Sequence, residues 1–71
     1  MPEIASEISK QRLRLGLTQQ ETADLSNVSV RLLRELEAGR ANPGLRQLKK
    51  IADTLNLTLL LVPKTDEATG S

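Results

Sequence analysis

The chain contains no cysteine, no histidine and no aromatic residue. Without cysteine it has neither a disulfide framework nor a thiolate metal site. Without histidine it lacks the commonest general base and the commonest metal ligand. Its core must be built from Leu, Ile, Val and Ala, which bury less area than rings do. Stacking of single-stranded bases or RNA on aromatic faces is disfavoured for the same reason. No apolar run approaches the roughly 20 residues of a membrane span, and the start lacks the basic-then-apolar pattern of a signal peptide. The cytoplasm is therefore the expected location, with no membrane partner. The carboxylates fall at ordinary helix-surface positions, with no nucleophile–base pair, glycine-rich phosphate loop or metal-ligand spacing. No enzyme activity, metal or cofactor is expected.

What is present is a 71-residue chain, one domain near the lower size limit for folding without staples. Burial against a second subunit would help such a chain. The formal net charge of +1 conceals an uneven distribution. From Lys10 to Lys50 there are nine basic residues (Lys10, Arg12, Arg14, Arg31, Arg34, Arg40, Arg46, Lys49 and Lys50) against four acidic ones (Glu21, Asp24, Glu35 and Glu37). The remaining acids, Glu3, Glu7, Asp53, Asp66 and Glu67, lie at the flanks. A basic middle is compatible with a phosphate-facing surface, although scattered solvated charge would look much the same.

The helix signals are local and strong. Pro2 suits the first position of a helix, in which Ile4, Ile8, Leu13 and Leu15 fall near helical spacing and which Gly16 ends. Thr18, with Glu21 three residues later, forms a capping box that opens a short helix over about 19–25, facing inward with Ala23 and helped by Thr22 or Ser26. Ser26-Asn27-Val28 predicts a tight turn, since Asn tolerates positive φ better than any other non-glycine residue. Ser29 caps a third helix running to about residue 38, with Leu33 and Leu36 inward, and Gly39 stops it. Asn42-Pro43-Gly44 is a break. A fourth helix over about 45–55 places Leu45, Leu48, Ile51, Ala52 and Leu55 on one face, with Lys49, Lys50 and Asp53 outward. The final apolar run, Thr58, Leu59, Leu60, Leu61 and Val62, is too short for a helix with its own core face and predicts a strand. A lone strand is unstable in water, so the economical solution is the same strand from a second copy across a two-fold axis.

A short helix, a tight turn and a second capped helix make the helix-turn-helix plan. Ala23 is small where the two helices cross. Val28, Leu33 and Leu36 anchor the second helix, leaving Val30, Arg31, Arg34 and Glu35 on the side able to enter a major groove. The stretches Leu17-Thr18-Gln19-Gln20-Glu21-Thr22-Ala23, Val28-Ser29, Glu37-Ala38-Gly39-Arg40, Asn42-Pro43, Leu48 and Ile51-Ala52-Asp53-Thr54-Leu55, in register over about residues 8–57, resemble the Xre/Cro/phage-repressor helix-turn-helix family. The trailing run over about 57–62 is similar to that of HipB-type antitoxins, in which an intersubunit strand replaces the family's fifth helix. Three positions depart from the family pattern. Asn27 stands where Gly is usual, Thr22 where Leu is usual, and Ser26 where Ala or Leu is frequent, so the small core is thinned.

Roles follow for individual residues. The resemblance implies that Gln19 approaches the DNA backbone and can brace a side chain of the recognition helix. It also implies that Arg12 and Glu37 form a structural ion pair tying the first helix to the third. Ser29 combines N-cap and phosphate donor. Val30 can touch a thymine methyl, and Arg31 is the strongest candidate for base readout, because Arg binds guanine O6 and N7 in bidentate fashion. Arg34 suits a phosphate or a base equally. Glu35 can accept from cytosine, pair with Arg31 or discourage wrong sequences. Arg40 and Asn42, and more weakly Arg46, are candidates for phosphate contacts.

The expected fold is mainly α: four short helices with a central helix-turn-helix, lambda-repressor-like, plus one C-terminal β-strand pairing across a homodimer. Residues 1–63 form this domain and 64–71 a flexible polar tail. The resemblance implies a repressor of double-stranded DNA bound at a palindromic operator. In its sharpest form this is a HipB-like antitoxin that autoregulates its operon and binds a HipA-like kinase toxin. A restriction-modification controller, a phage-type regulator and a protein-sequestering interaction module are the alternatives.

Overall fold

The computed structural model describes residues 2–60, in which four helices follow one another: α1 (Pro2–Arg14), α2 (Gln19–Ser26), α3 (Val30–Glu37) and α4 (Leu45–Thr54). α2 is the hub. It packs against both α3 and α4, while α1 packs against α3. The core cluster is Ile8, Ala23, Leu33, Leu36, Leu48, Ile51 and Leu55, with Ile4, Leu17, Val28, Val30, Ala41 and Leu57 packed around it.

The helix starts follow side-chain chemistry. Thr18 accepts from the backbone N–H of Glu21 at 2.9 Å, and the Glu21 carboxylate accepts in return from the N–H of Thr18 at 2.8 Å. That backbone bond holds the Glu21 carboxyl below its ordinary range. Ser29 Oγ accepts from the N–H of Leu32 at 3.0 Å and caps α3. α4 starts after Gly44 with no side-chain cap.

The helix ends share one device. A left-handed residue follows each helix: Gly16, Asn27, Gly39 and Asn56, with φ of 73°, 59°, 77° and 59°. In each case the next residue's N–H returns to a carbonyl five residues back: Leu17 to Arg12, Val28 to Ala23, Arg40 to Glu35 and Leu57 to Ala52, at 2.8–3.1 Å. These are Schellman motifs. Three of the four closing residues, Leu17, Val28 and Leu57, pack against the core. The fourth is Arg40, which is exposed.

Several inward placements differ from the sequence expectation. Leu13 and Leu15 are 66% and 46% exposed. The inward phase of α1 is carried instead by Ala5 and Ile8, with Ile4 and Arg12 partly buried. Leu45, the first residue of α4 and expected on its core face, is 67% exposed, and the buried positions of the helix begin at Leu48. Thr22 and Ser26 are both buried. Ser26 Oγ donates to Thr54 Oγ1 at 2.9 Å, and Thr54 passes the chain on to the Lys50 carbonyl at 3.0 Å. Thr22 Oγ1 has no partner. Gln11, which the sequence did not single out, donates to the Leu55 carbonyl at 3.0 Å and ties α1 to the end of α4.

Thr58, Leu59 and Leu60 carry neither helix nor strand in this single chain. The expected strand is therefore not formed as far as Leu60, since a strand needs a second strand to supply its ladder. Leu61, Val62 and the tail over 64–71 lie outside the described residues.

Candidate nucleic-acid interface

Eight residues make α3, and their phase decides what it offers. At about 100° per residue, Arg34, Arg31 and Glu35 occupy one sector opposite the buried Leu33 and Leu36. Arg31 and Arg34 are exposed. Val30 lies at the edge of that sector, half-buried and packed against the core. It is thus less free for contact than its sequence position suggests. α2 crosses behind α3, with Ala23 fully buried where a larger side chain would push them apart.

The flank of α3 facing α1 is fixed by Glu37. Its carboxylate accepts from Arg12 Nε at 2.7 Å, Arg12 Nη2 at 3.0 Å, Ser9 Oγ at 2.9 Å and Gln19 Nε2 at 3.1 Å. Arg12 Nη1 donates in addition to the Leu17 carbonyl at 2.8 Å. The two side chains are only 13% and 6% exposed. Burial pushes the Glu37 carboxyl up, but the bonds from Arg12, Ser9 and Gln19 outweigh it and hold the carboxyl below its ordinary range. One carboxylate thus joins α1, α2 and α3. Gln19, considered for a backbone contact, has its amide engaged on this α3 residue. Ser9 was missed in the sequence, although it stands one helical turn before Arg12 on the same face.

On the other flank, Glu35 Oε2 accepts from Arg40 Nη2 at 3.1 Å. This is a different partner from the Arg31 considered in the sequence. The Arg40 bond and charge, with a smaller contribution from Arg31, hold the Glu35 carboxyl below its ordinary range, and Arg40 is raised reciprocally. Ser29, Arg31, Leu32, Glu35, Arg40 and Ala41 line a shallow depression here. Asn42 and Arg46 are both exposed, in the loop after α3 and at the second residue of α4. The surface carrying Ser29, Arg31, Arg34 and Arg40 presents hydroxyl and guanidinium donors, the groups that bind phosphates and guanine edges.

Among the described residues no group of three or more His, Cys, Asp or Glu side chains could hold a metal ion. No helix among them is long and apolar enough to cross a membrane. Compared with protein families, residues 8–62, most of the chain, match the helix-turn-helix family model. Comparison with curated proteins gives no match.

Proposed function

The chain belongs to the helix-turn-helix family of DNA-binding domains, and we propose that it is a sequence-specific transcriptional repressor acting as a homodimer on a palindromic operator. The observation that carries this reading is the outward sector of α3, where Arg31 and Arg34 stand exposed on a capped helix held rigid by α2 and the Glu37 bonds. Arg31 reads a guanine edge, Arg34 a base or phosphate, and Ser29, Arg40, Asn42 and Arg46 hold the backbone. Val30 contributes its exposed half to a thymine methyl. Two copies related by a two-fold axis present their α3 helices to half-sites roughly 34 Å apart, one turn of duplex, or a multiple of it.

The second subunit docks on the C-terminal side of the molecule. Leu45, Leu59 and Leu60 are exposed there, and Leu45 and Leu59 line one groove with Ala52 of α4. Pairing of the 58–62 runs across the axis supplies each strand edge with its missing partner. This arrangement resembles HipB-type antitoxins. The full proposal is therefore a cytoplasmic antitoxin that represses its own operon at the nucleoid and binds a HipA-like kinase toxin.

Affinity capture from native cells, combined with a gel shift on the chain's own promoter, tests both levels. A shift that weakens steeply with salt, together with recovery of a kinase-like partner, supports the antitoxin-repressor reading. A shift without a partner leaves a dimeric regulator and removes the antitoxin. A partner without a shift overturns the repressor and favours a protein-sequestering module.

A further inference from the structure

Three of the four helices close their C-terminal motif with an apolar residue on the core, whereas α3 closes it with Arg40, whose side chain bonds Glu35. The two residues are joined twice. The Arg40 N–H donates to the Glu35 carbonyl at 2.8 Å, and the guanidinium donates to the Glu35 carboxylate at 3.1 Å. The first bond fixes the Arg40 backbone, while the second lies in solvent, with the side chains 67% and 41% exposed. Only the Arg40 side chain has to rotate for the ion pair to open. The carboxylate also lies one helical turn from Arg31, on the same depression that Ser29 lines.

We infer that Glu35 is an internal counter-ion that occupies Arg40 in the free protein and is displaced by a DNA phosphate, so that it limits non-specific duplex binding instead of reading a base. This inference rests on the DNA-binding reading above. An exposed ion pair is weak, so a well-placed phosphate outweighs it and takes Arg40, whereas a poorly placed phosphate leaves the pair closed. A carboxylate on the groove-facing sector adds repulsion against every duplex, but only the Arg40 pairing makes the effect depend on Arg40. α3 also ends beside Arg40, where the helix C-terminus favours a cation and keeps the guanidinium nearby when released.

The test uses the full chain and a fluorescein-labelled duplex of mixed sequence, with binding followed by anisotropy across a salt series. Glu35→Gln is expected to bind about two- to fivefold more tightly than the parent at moderate salt, the range of an exposed ion pair. Its plot of log affinity against log salt should steepen by about 0.9, one added phosphate contact. In an Arg40→Ala background the same substitution should leave the slope unchanged and lose most of its gain. Equal affinity and slope for parent and Glu35→Gln would overturn the inference, as would a gain that survives intact without Arg40. If the parent binds no duplex at any salt concentration, the DNA-binding reading fails and takes this inference with it. Circular dichroism of each variant checks that substitution at these exposed positions leaves the fold intact.

Discussion

Glu37→Gln is the most informative single perturbation of the fold, because it removes one charge and keeps the shape. The Glu37 side chain is 6% exposed and accepts four hydrogen bonds from three residues on two other helices. Its loss leaves the Arg12 guanidinium, 13% exposed, without an anion. Removing one partner of a buried pair costs about 3–5 kcal/mol, mostly through the uncompensated charge left behind, and this part-buried pair should lie at the low end, about 3 kcal/mol. A chain of this size has a total stability of roughly 4–10 kcal/mol. The substitution should therefore remove about 30% or more of it and lower Tm by about 12 °C or more. Urea unfolding followed by far-UV circular dichroism, at one fixed protein concentration because the proposed dimerisation would be linked to stability, gives the number. The double variant Arg12→Met with Glu37→Leu should recover part of the loss, since an apolar pair carries no charge desolvation cost, although Ser9, Gln19 and the Leu17 carbonyl lose their partners. The sign of the pH dependence follows from the lowered carboxyl of Glu37. The unfolded carboxylate takes up its proton near pH ~4.3, before the folded one does. The contribution is complete above that value and is lost as pH falls through the lower folded value. Parent stability should thus decline in acid more steeply than that of Glu37→Gln. A loss below about 1 kcal/mol at neutral pH, the size of a surface pair, would refute the reasoning.

Other predictions are simpler. Thr22→Val replaces a buried hydroxyl that has no partner with a methyl of similar size, and should raise stability by about 1–2 kcal/mol in the same urea assay. Asn27→Ala and Asn56→Ala each force a Cβ-bearing residue without a compensating side-chain amide to keep φ of 59°, and each should cost about 1 kcal/mol. Ser29→Ala removes the α3 cap and should cost about 1 kcal/mol, weakening DNA binding with an unchanged salt slope, because a neutral hydroxyl releases no counterion.

The helix borders were legible because they are written in single residues. Thr18, Glu21 and Ser29 mark the starts, and Gly16, Asn27 and Gly39 mark the stops, each through a bond that involves only neighbours in the chain. Asn56 performs the same task as Asn27, but the apolar run that follows it carries a stronger strand signal than a helix-stop signal. The inward phase of α1 was not legible from hydropathy. Its inner face includes Ser9 and Arg12, whose partners lie on α3 at Glu37, so Leu13 and Leu15 took the places of polar residues that are satisfied only in three dimensions. The Arg40–Glu35 pair was hidden for a related reason. The left-handed turn at Gly39 brings the two together, whereas helical spacing pointed to Arg31. A strand over 58–62 would need a second strand to supply its ladder, and Thr58 to Leu60 carry neither helix nor strand in this single chain.

The central claim, that α3 reads duplex DNA in a symmetric dimer, is tested most directly by selection from a randomised duplex library, using the parent chain and the Arg31→Ala, Arg34→Ala double variant. The account predicts that the parent enriches a two-fold symmetric sequence whose half-sites are about one helical turn apart. The double variant, folded by circular dichroism, should enrich none. No enriched sequence with the parent, or the same sequence recovered with the double variant, would contradict it.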